Sequence, residues 1–248
     1  MIKVVLFFTK LVVVVFIAVM FSSCRYHVNQ NDDNVEGNGN IRSETRTING
    51  DFQSISVQDA IEVVVEQSDD KSVVVEADEN ILPLITTRVE NGVLIIEPDH
   101  GISTSGSNPK VTVKMPIIKK LTCGNSSSIR SINTIITDNL EVRAENASAI
   151  EINVEADNIS LEAENSGTIH ASGKALKLET SSSDGSELDA RKLMANDVRS
   201  QANDGSSTSV YPIVSLNASA FNGSSIIYYK TPKTLSKESD SGASISAE

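Results

Sequence analysis

A phrase of small residues, led by Asn or Asp in six copies and by Ser in the last, occurs seven times in the second half of the chain. It reads Asn125-Ser-Ser-Ser-Ile129, Asn146-Ala-Ser-Ala-Ile150, Asn165-Ser-Gly-Thr-Ile169 and Asp184-Gly-Ser-Glu-Leu188. It continues as Asp204-Gly-Ser-Ser-Thr208, Asn222-Gly-Ser-Ser-Ile226 and Ser241-Gly-Ala-Ser-Ile245. Successive starts are 21, 19, 19, 20, 18 and 19 residues apart. A unit this short cannot bury a core by itself, so each copy must stack on the next.

The segments between the phrases alternate. Leu140, Val142 and Ala144 oppose Glu141, Arg143 and Glu145, and Ile159, Leu161 and Ala163 oppose Ser160, Glu162 and Glu164. A period of two with apolar residues on one side predicts half-buried strands rather than helices. Overlaying the copies gives columns. Cys123, Ala144, Ala163, Ser182, Ala202 and Ala220 form a small one, and Leu140, Ile159, Leu178, Val198 and Leu216 an apolar one. Stacked coils turn such columns into interior ladders with rungs about 4.7–4.9 Å apart. The Asx phrase is then the corner, because Asn, Asp and Gly accept the left-handed backbone of a sharp bend. Asn side chains at successive corners could form a hydrogen-bonded ladder. The expected fold is all-β, a right-handed parallel β-helix, over a competing β-sandwich or barrel with evenly spaced turns.

The N-terminal end carries an address. Lys3 and Lys10 flank a short apolar start, and Leu11 to Met20 form a ten-residue apolar core. That is short for a membrane span, which needs about 20 apolar residues, and suits a secretory signal over residues 1–23. Phe21-Ser22-Ser23-Cys24 resembles the lipobox of bacterial lipoproteins, in which the cysteine becomes the acylated first residue. Cys24 is therefore the expected lipidation site, anchoring the chain to a membrane without a span. Residues 24–46 are polar and rich in Asn, Asp and Gly, a composition expected to form a flexible tether. Residues 47–246 remain for one elongated domain, with an irregular β-rich part over 47–120 and regular coils over 121–246.

Charge and cysteine content narrow the partners. The formal charge is −12, and without Lys3 and Lys10 the remaining 19 basic and 33 acidic residues leave −14. Such acidity argues against nucleic acid and against electrostatic docking on anionic lipid. With Cys24 acylated, Cys123 has no disulfide partner, and its place in the small column predicts a buried, inert thiol.

The N-terminal half has longer and less regular runs. These include Ile55-Ser-Val57, Ile61-Glu-Val-Val-Val65, Val73-Val-Val-Glu-Ala77 and Val111-Thr-Val-Lys-Met115. Thr86–Val89 and Val93–Ile96 flank Glu90-Asn91-Gly92, which predicts a tight β-hairpin. Gly101 to Pro109 are turn formers, expected to be a mobile loop, and this half would cap the open end of the solenoid.

A family resemblance rests on the order of these segments. Arg46-Thr-Ile-Asn-Gly-Asp-Phe52, Ala60-Ile-Glu-Val-Val-Val65, Val73-Val-Val-Glu-Ala-Asp-Glu-Asn80 and Thr87-Arg-Val-Glu-Asn-Gly-Val-Leu-Ile-Ile96 precede the serial corners. In that order they resemble the auto-transporter adhesin head (GIN) domain family, found in lipoproteins of Bacteroidetes-type bacteria. The resemblance implies a right-handed β-helix related in shape to pectin lyases, without their catalytic residues, and a role in adhesion. This chain departs from many relatives in using Asn/Asp-Ser/Gly-Ser at corners where they have Gly-Ser-Gly or Gly-Ala-Gly.

Residues with catalytic potential are sparse. His27, His100 and His170 are isolated from one another and from Cys or carboxylate partners at ligand spacing. No nucleophile elbow, P-loop or dinucleotide fingerprint occurs. Glu141, Glu145, Glu162 and Glu164 are expected to form an outward acidic stripe with Arg143 nearby, and these five residues are the candidate binding group. A calcium-dependent polysaccharide lyase would also need a positioned basic group. Asp184 and Asp204 stack at neighbouring corners and are the candidate pair for a shared cation. Aromatic residues are 4% of the chain with no Trp, which disfavours ring-stacking carbohydrate clefts. Alternation through Tyr228 and Tyr229 predicts that one is buried and the other exposed.

Together these features lead to a non-catalytic envelope lipoprotein without cofactor, outer-membrane anchored, whose rigid acidic surface binds an extracellular glycan or matrix protein. A lyase- or hydrolase-like enzyme and a self-associating structural protein are the alternatives.

Overall fold

The computed structural model describes residues 35–99, 102–103, 108–240 and 242–248. The expected signal segment, Cys24, His27, His100 and Ser241 lie outside these residues. The strands, in chain order, begin with β1 (Val35–Glu36), β2 (Ile41–Arg46), β3 (Ser54–Val57), β4 (Glu62–Gln67), β5 (Ser72–Asp78) and β6 (Ile85–Glu90). Next come β7 (Val93–Pro98), β8 (Ile102–Ser103), β9 (Lys110–Met115), β10 (Lys120–Cys123), β11 (Ser128–Glu145) and β12 (Ala149–Glu164). The last are β13 (Thr168–Ser182), β14 (Glu187–Ala202), β15 (Ser207–Ala220), β16 (Ser225–Tyr228), β17 (Thr234–Ser239) and β18 (Ser244–Ala247). Among the described residues there is no α-helix, and one 3₁₀ turn spans Leu82–Leu84.

The long strands β11 to β15 each lie beside the next in parallel, which makes the regular half a β-solenoid. Each bends through three faces. The first face holds the closing segments, with Cys123, Ala144, Ala163, Ser182, Ala202 and Ala220 as consecutive strand neighbours. Leu140, Ile159, Leu178, Val198 and Leu216 form a second column there, and every member of both columns is buried. The second face holds the opening segments, around the column Ile129, Ile150, Ile169, Leu188, Thr208 and Ile226. A third face joins them through Ile135, Val154, Gly173 and Leu193.

The corner between the first and second faces takes two consecutive left-handed residues. At Asn125-Ser126 φ is 50° and 62°, and at Asp184-Gly185 it is 54° and 68°. Asn and Asp bear this conformation better than other side chains, and Gly bears it without steric cost. The amide ladder forms in part. Asn146 Nδ2 donates to Asn125 Oδ1 at 3.3 Å, and Asn125 Nδ2 donates to Asp59 Oδ1 at 2.9 Å.

The third residue of the phrase has a role that turn chemistry alone does not disclose. Ser148 Oγ donates to the Cys123 carbonyl at 2.7 Å and accepts from the Glu145 amide at 2.9 Å. Ser186 and Ser206 do the same to the Ala163 and Ser182 carbonyls, and Ser224 Oγ donates to the Ala202 carbonyl. These hydroxyls are buried and staple each coil to the one before it. In the Asn165 phrase Gly167 stands at this place, where a Cβ would collide with the Ala144 carbonyl.

The N-terminal half corrects two expectations. It contributes rungs as well as a cap. β3 pairs in parallel with β10, and β4 with β11, around a left-handed corner at Asp59-Ala60. β7 and β9 lie beneath β3 and β4. Antiparallel β6 and β5 then close that end, the latter bordered by β2, and β6–β7 is the hairpin expected at Asn91-Gly92. The second correction concerns the tether, set at 24–46. Ile41–Arg46 is a strand, antiparallel to β5, and Val35–Glu36 pairs with Ile102–Ser103 inside the expected mobile loop. β2 is exposed from Ile41 to Thr45 and half-buried only at Arg46, so its polar composition reports correctly on burial. Order comes instead from main-chain hydrogen bonds, which need no apolar side chain.

Candidate binding surface

The first face presents three outward columns across the coils. One runs Lys120, Glu141, Ser160, Glu179, Arg199 and Asn217. Its neighbours run Arg143, Glu162, Ser181, Gln201 and Ser219 on one side, and Asn139, Asn158, Lys177, Asp197 and Ser215 on the other. The strand period places these groups outward and the rung spacing sets them side by side.

The expected acidic stripe is present, and its charges are paired. Arg143 reaches Glu162 and Glu164 at 2.8 Å each and Glu145 at 3.6 Å, while Glu141 pairs with Lys120 at 3.0 Å. Partial burial disfavours the Arg143 charge, but Glu162, Glu164 and Glu145 outweigh it and raise its pKa further. A guanidinium held this way stays charged and cannot take a proton from a sugar ring. Four of the five candidates thus meet around Arg143, whose single positive charge is shared among three carboxylates, while Glu141 pairs with Lys120 instead.

Beyond that cluster the face is hollowed. A depression of about 380 Å³ is lined by Asn158, Ser160, Lys177 and Glu179, and one of about 220 Å³ by Lys177, Glu179, Asp197 and Arg199. A third of about 470 Å³ takes in Arg199, Gln201, Asn217 and Phe221. Shared borders join them into one shallow polar trough across successive rungs. Several lining groups are preset by neighbours: Asn158 Nδ2 donates to Asn139 Oδ1 at 3.0 Å, and Ser215 Oγ to Asp197 Oδ1 at 2.7 Å.

The second face brings together His170, Asp189 and Ser209 as successive strand neighbours. His170 Nδ1 lies 3.8 Å from Asp189 Oδ2. The carboxylate, not the imidazole, is the middle member. Ser209 is two rungs from His170, about 9–10 Å, so the imidazole cannot serve it as a base. Burial works to raise the Asp189 carboxyl, but hydrogen bonds and charge from Arg191 outweigh it and hold the pKa below the usual range. Arg191 in turn lies 5.4 Å from the Tyr229 ring centroid, and Tyr228 beside it is buried, as alternation requires.

Asp184 and Asp204 do occupy adjacent corners, linked through the Gly185 amide and the Asp204 carbonyl at 3.0 Å. Asp204 Oδ1 accepts from Asn222 Nδ2 at 2.9 Å. Among the described residues no group of three or more His, Cys, Asp or Glu side chains is placed to hold a metal ion. Cys123 is fully buried, and burial pushes its thiol up to about 12 against the hydrogen bonds from Ser148 and Ala149.

Sequence reasoning did not single out Ile136, Leu176 and Met194, which are large, apolar and exposed on the third face. The signal for Ile136 and Met194 was an apolar residue at a position whose neighbours in the column are polar.

The fold recurs in solved structures. A "putative adhesin" from Bacteroides fragilis NCTC 9343 superposes with a TM-score of 0.77 at 17% identity, covering 86% of this chain and 100% of its own. One from Parabacteroides merdae ATCC 43184 gives 0.71 at 17% identity, over 87% of this chain and 99% of its own. A "putative lipid binding protein" from Parabacteroides distasonis ATCC 8503 gives 0.66 at 20% identity, over 87% and 100%. No protein of curated function matches the chain. Residues 51–232 match the family described as "Putative auto-transporter adhesin, head GIN domain", and the chain belongs to that family.

Proposed function

We propose that this protein is a non-catalytic, adhesin-like component of the cell envelope that binds an extended polar ligand along its first face. The polar trough carries this reading. It repeats hydrogen-bonding side chains at rung spacing across several coils, as an extended chain would require, whereas a compact substrate would need a deep pocket. The charged residues beside it are committed to one another, and Arg143 is unfit as a base. Recognition therefore runs through many modest hydrogen bonds rather than ring stacking. Cys24 supplies a lipid anchor at the outer membrane, with residues 25–34 between the lipid and the first strand.

The test is a combined array of glycans and extracellular matrix proteins probed with the protein and with N158A/Q201A/N217A. Saturable binding to a glycan or matrix protein, weakened at least tenfold in the triple variant, is expected. Binding unchanged in that variant, or calcium-dependent cleavage of a uronic-acid polysaccharide, would refute the reading. Palmitate labelling that persists in Cys24→Ala would refute the anchor.

A further inference from the structure

The third face breaks the polar pattern of the other two. One outward column runs Ile136, Glu155, Lys174, Met194 and Tyr211. At the bend that follows, Asp138, Asp157 and Leu176 come from successive coils. Between these rows lies an open groove of about 600 Å³, floored by Ala156 and Ala175. Ile136 is 65% exposed, Leu176 52% and Met194 40%. At about 25 cal/mol per Å² of apolar surface left in water, side chains of this size gain from being covered. Apolar side chains gathered in one groove mark an interaction surface.

Charge defines the occupant. Lys174 is paired with Glu155 at 3.6 Å. Asp138 and Asp157 are exposed, and their flanking residues Asn139 and Asn158 are direct strand neighbours, which brings two like charges to adjacent rungs. No ion pair reaches either among the described residues. A partner bringing positive charge to this end relieves their repulsion and is steered in by the field of an acidic protein. An acyl chain offers no such charge, and a neutral glycan would leave the apolar residues uncovered.

We propose that this groove docks an extended polypeptide segment of a partner protein. The segment sets lysine or arginine on Asp138 and Asp157 and apolar side chains on Leu176 and Met194. The distance from Ile136 to Met194 is three rungs, about 14 Å, which four or five extended residues span. The surface is separate from the polar trough, so array results on that face neither support nor remove this one.

The probe is a fluorescein-labelled octapeptide of alternating lysine and leucine, titrated with the full chain and followed by fluorescence anisotropy. Saturable binding is expected, weakened tenfold or more in D138N/D157N and similarly in L176S/M194S. D69N/D70N, which removes the same charge from the β4–β5 turn, should stay within twofold of the unaltered protein. Circular dichroism of each variant separates lost binding from lost fold. Absence of saturable binding, or an equal loss in D69N/D70N, would overturn the proposal, the latter by showing a response to net charge alone. Equal affinity for a leucine–glutamate octapeptide would overturn it as well.

Discussion

The Lys237 ammonium stands 4.6 Å from the centroid of the Tyr228 ring and donates a hydrogen bond to the Ile245 carbonyl at 3.1 Å. Lys237 lies directly over Ala218, so it occupies an interior column: Ile55, Leu121, Val142, Leu161, Thr180, Ser200 and Ala218 precede it. On the last described rung of the first face, a cation thus sits where the ladder would continue with a core residue. An inward charge on an edge strand opposes pairing with another chain. Here it also covers Tyr228.

Lys237→Leu should therefore promote concentration-dependent oligomers, by exposing an apolar rung at the end of the stack. Multi-angle light scattering at micromolar concentrations checks this. An unaltered protein that already stacks through its ends would show that Lys237 does not guard them.

The serine staples carry a stability prediction. Ser148→Ala removes a buried donor from the Cys123 carbonyl and an acceptor from the Glu145 amide. The expected cost is about 1–3 kcal/mol, read from the urea midpoint. Ser127→Ala should cost much less, because the Ser127 hydroxyl has no hydrogen-bond partner among the described residues.

Gly173 offers a sharper case. Its φ is +120°, and a Cβ there would run into the Val154 carbonyl. Gly173→Ala should cost about 2 kcal/mol or more from backbone strain alone. That corresponds to a Tm lower by about 4–8 °C for a chain of this size. Gly185→Ala, whose Cβ would meet open space, should lose less.

Acid should weaken the fold through carboxylates held low. Asp189 is kept below its ordinary range by Arg191 in spite of burial, and Asp240 by the Asn222 amide together with those of Gly242 and Ala243. A carboxylate lowered on folding adds stability above its unfolded value, about 3.9, and that contribution vanishes as pH falls through the folded value. The urea midpoint should drop between about pH 5 and pH 3, and Asp189→Asn should flatten part of that slope.

Cys123 should resist iodoacetamide at pH 8 and react once the chain is unfolded in urea. Its thiolate is scarce with a pKa near 12, and its side chain is fully buried. Peptide mapping by mass spectrometry reports this site separately from Cys24.

The regular coils were legible because a period of two and a period near nineteen coincide in one segment. Ala144 and Ala163 are direct strand neighbours, and so are Leu140 and Ile159. The N-terminal half was harder because spatial and chain order differ. Residues 54–67 lie between 93–115 and 120–137, so equivalent positions recur at no constant interval. The Arg143 cluster was visible as residues, but its pairing depended on which rotamers meet across adjacent rungs.

The sequence by itself determined a stack of parallel coils with Asx corners and a small-residue interior column, since those properties are local patterns repeated many times. Tertiary structure decided what each exposed group can do. Contacts between coils assigned Arg143 to three carboxylates, left Asp138 and Asp157 without a cation among the described residues, and brought Lys237 over Tyr228. Such outcomes depend on side chains about twenty residues apart, or on opposite faces of the last rung, and alternation along a single strand carries no information about them.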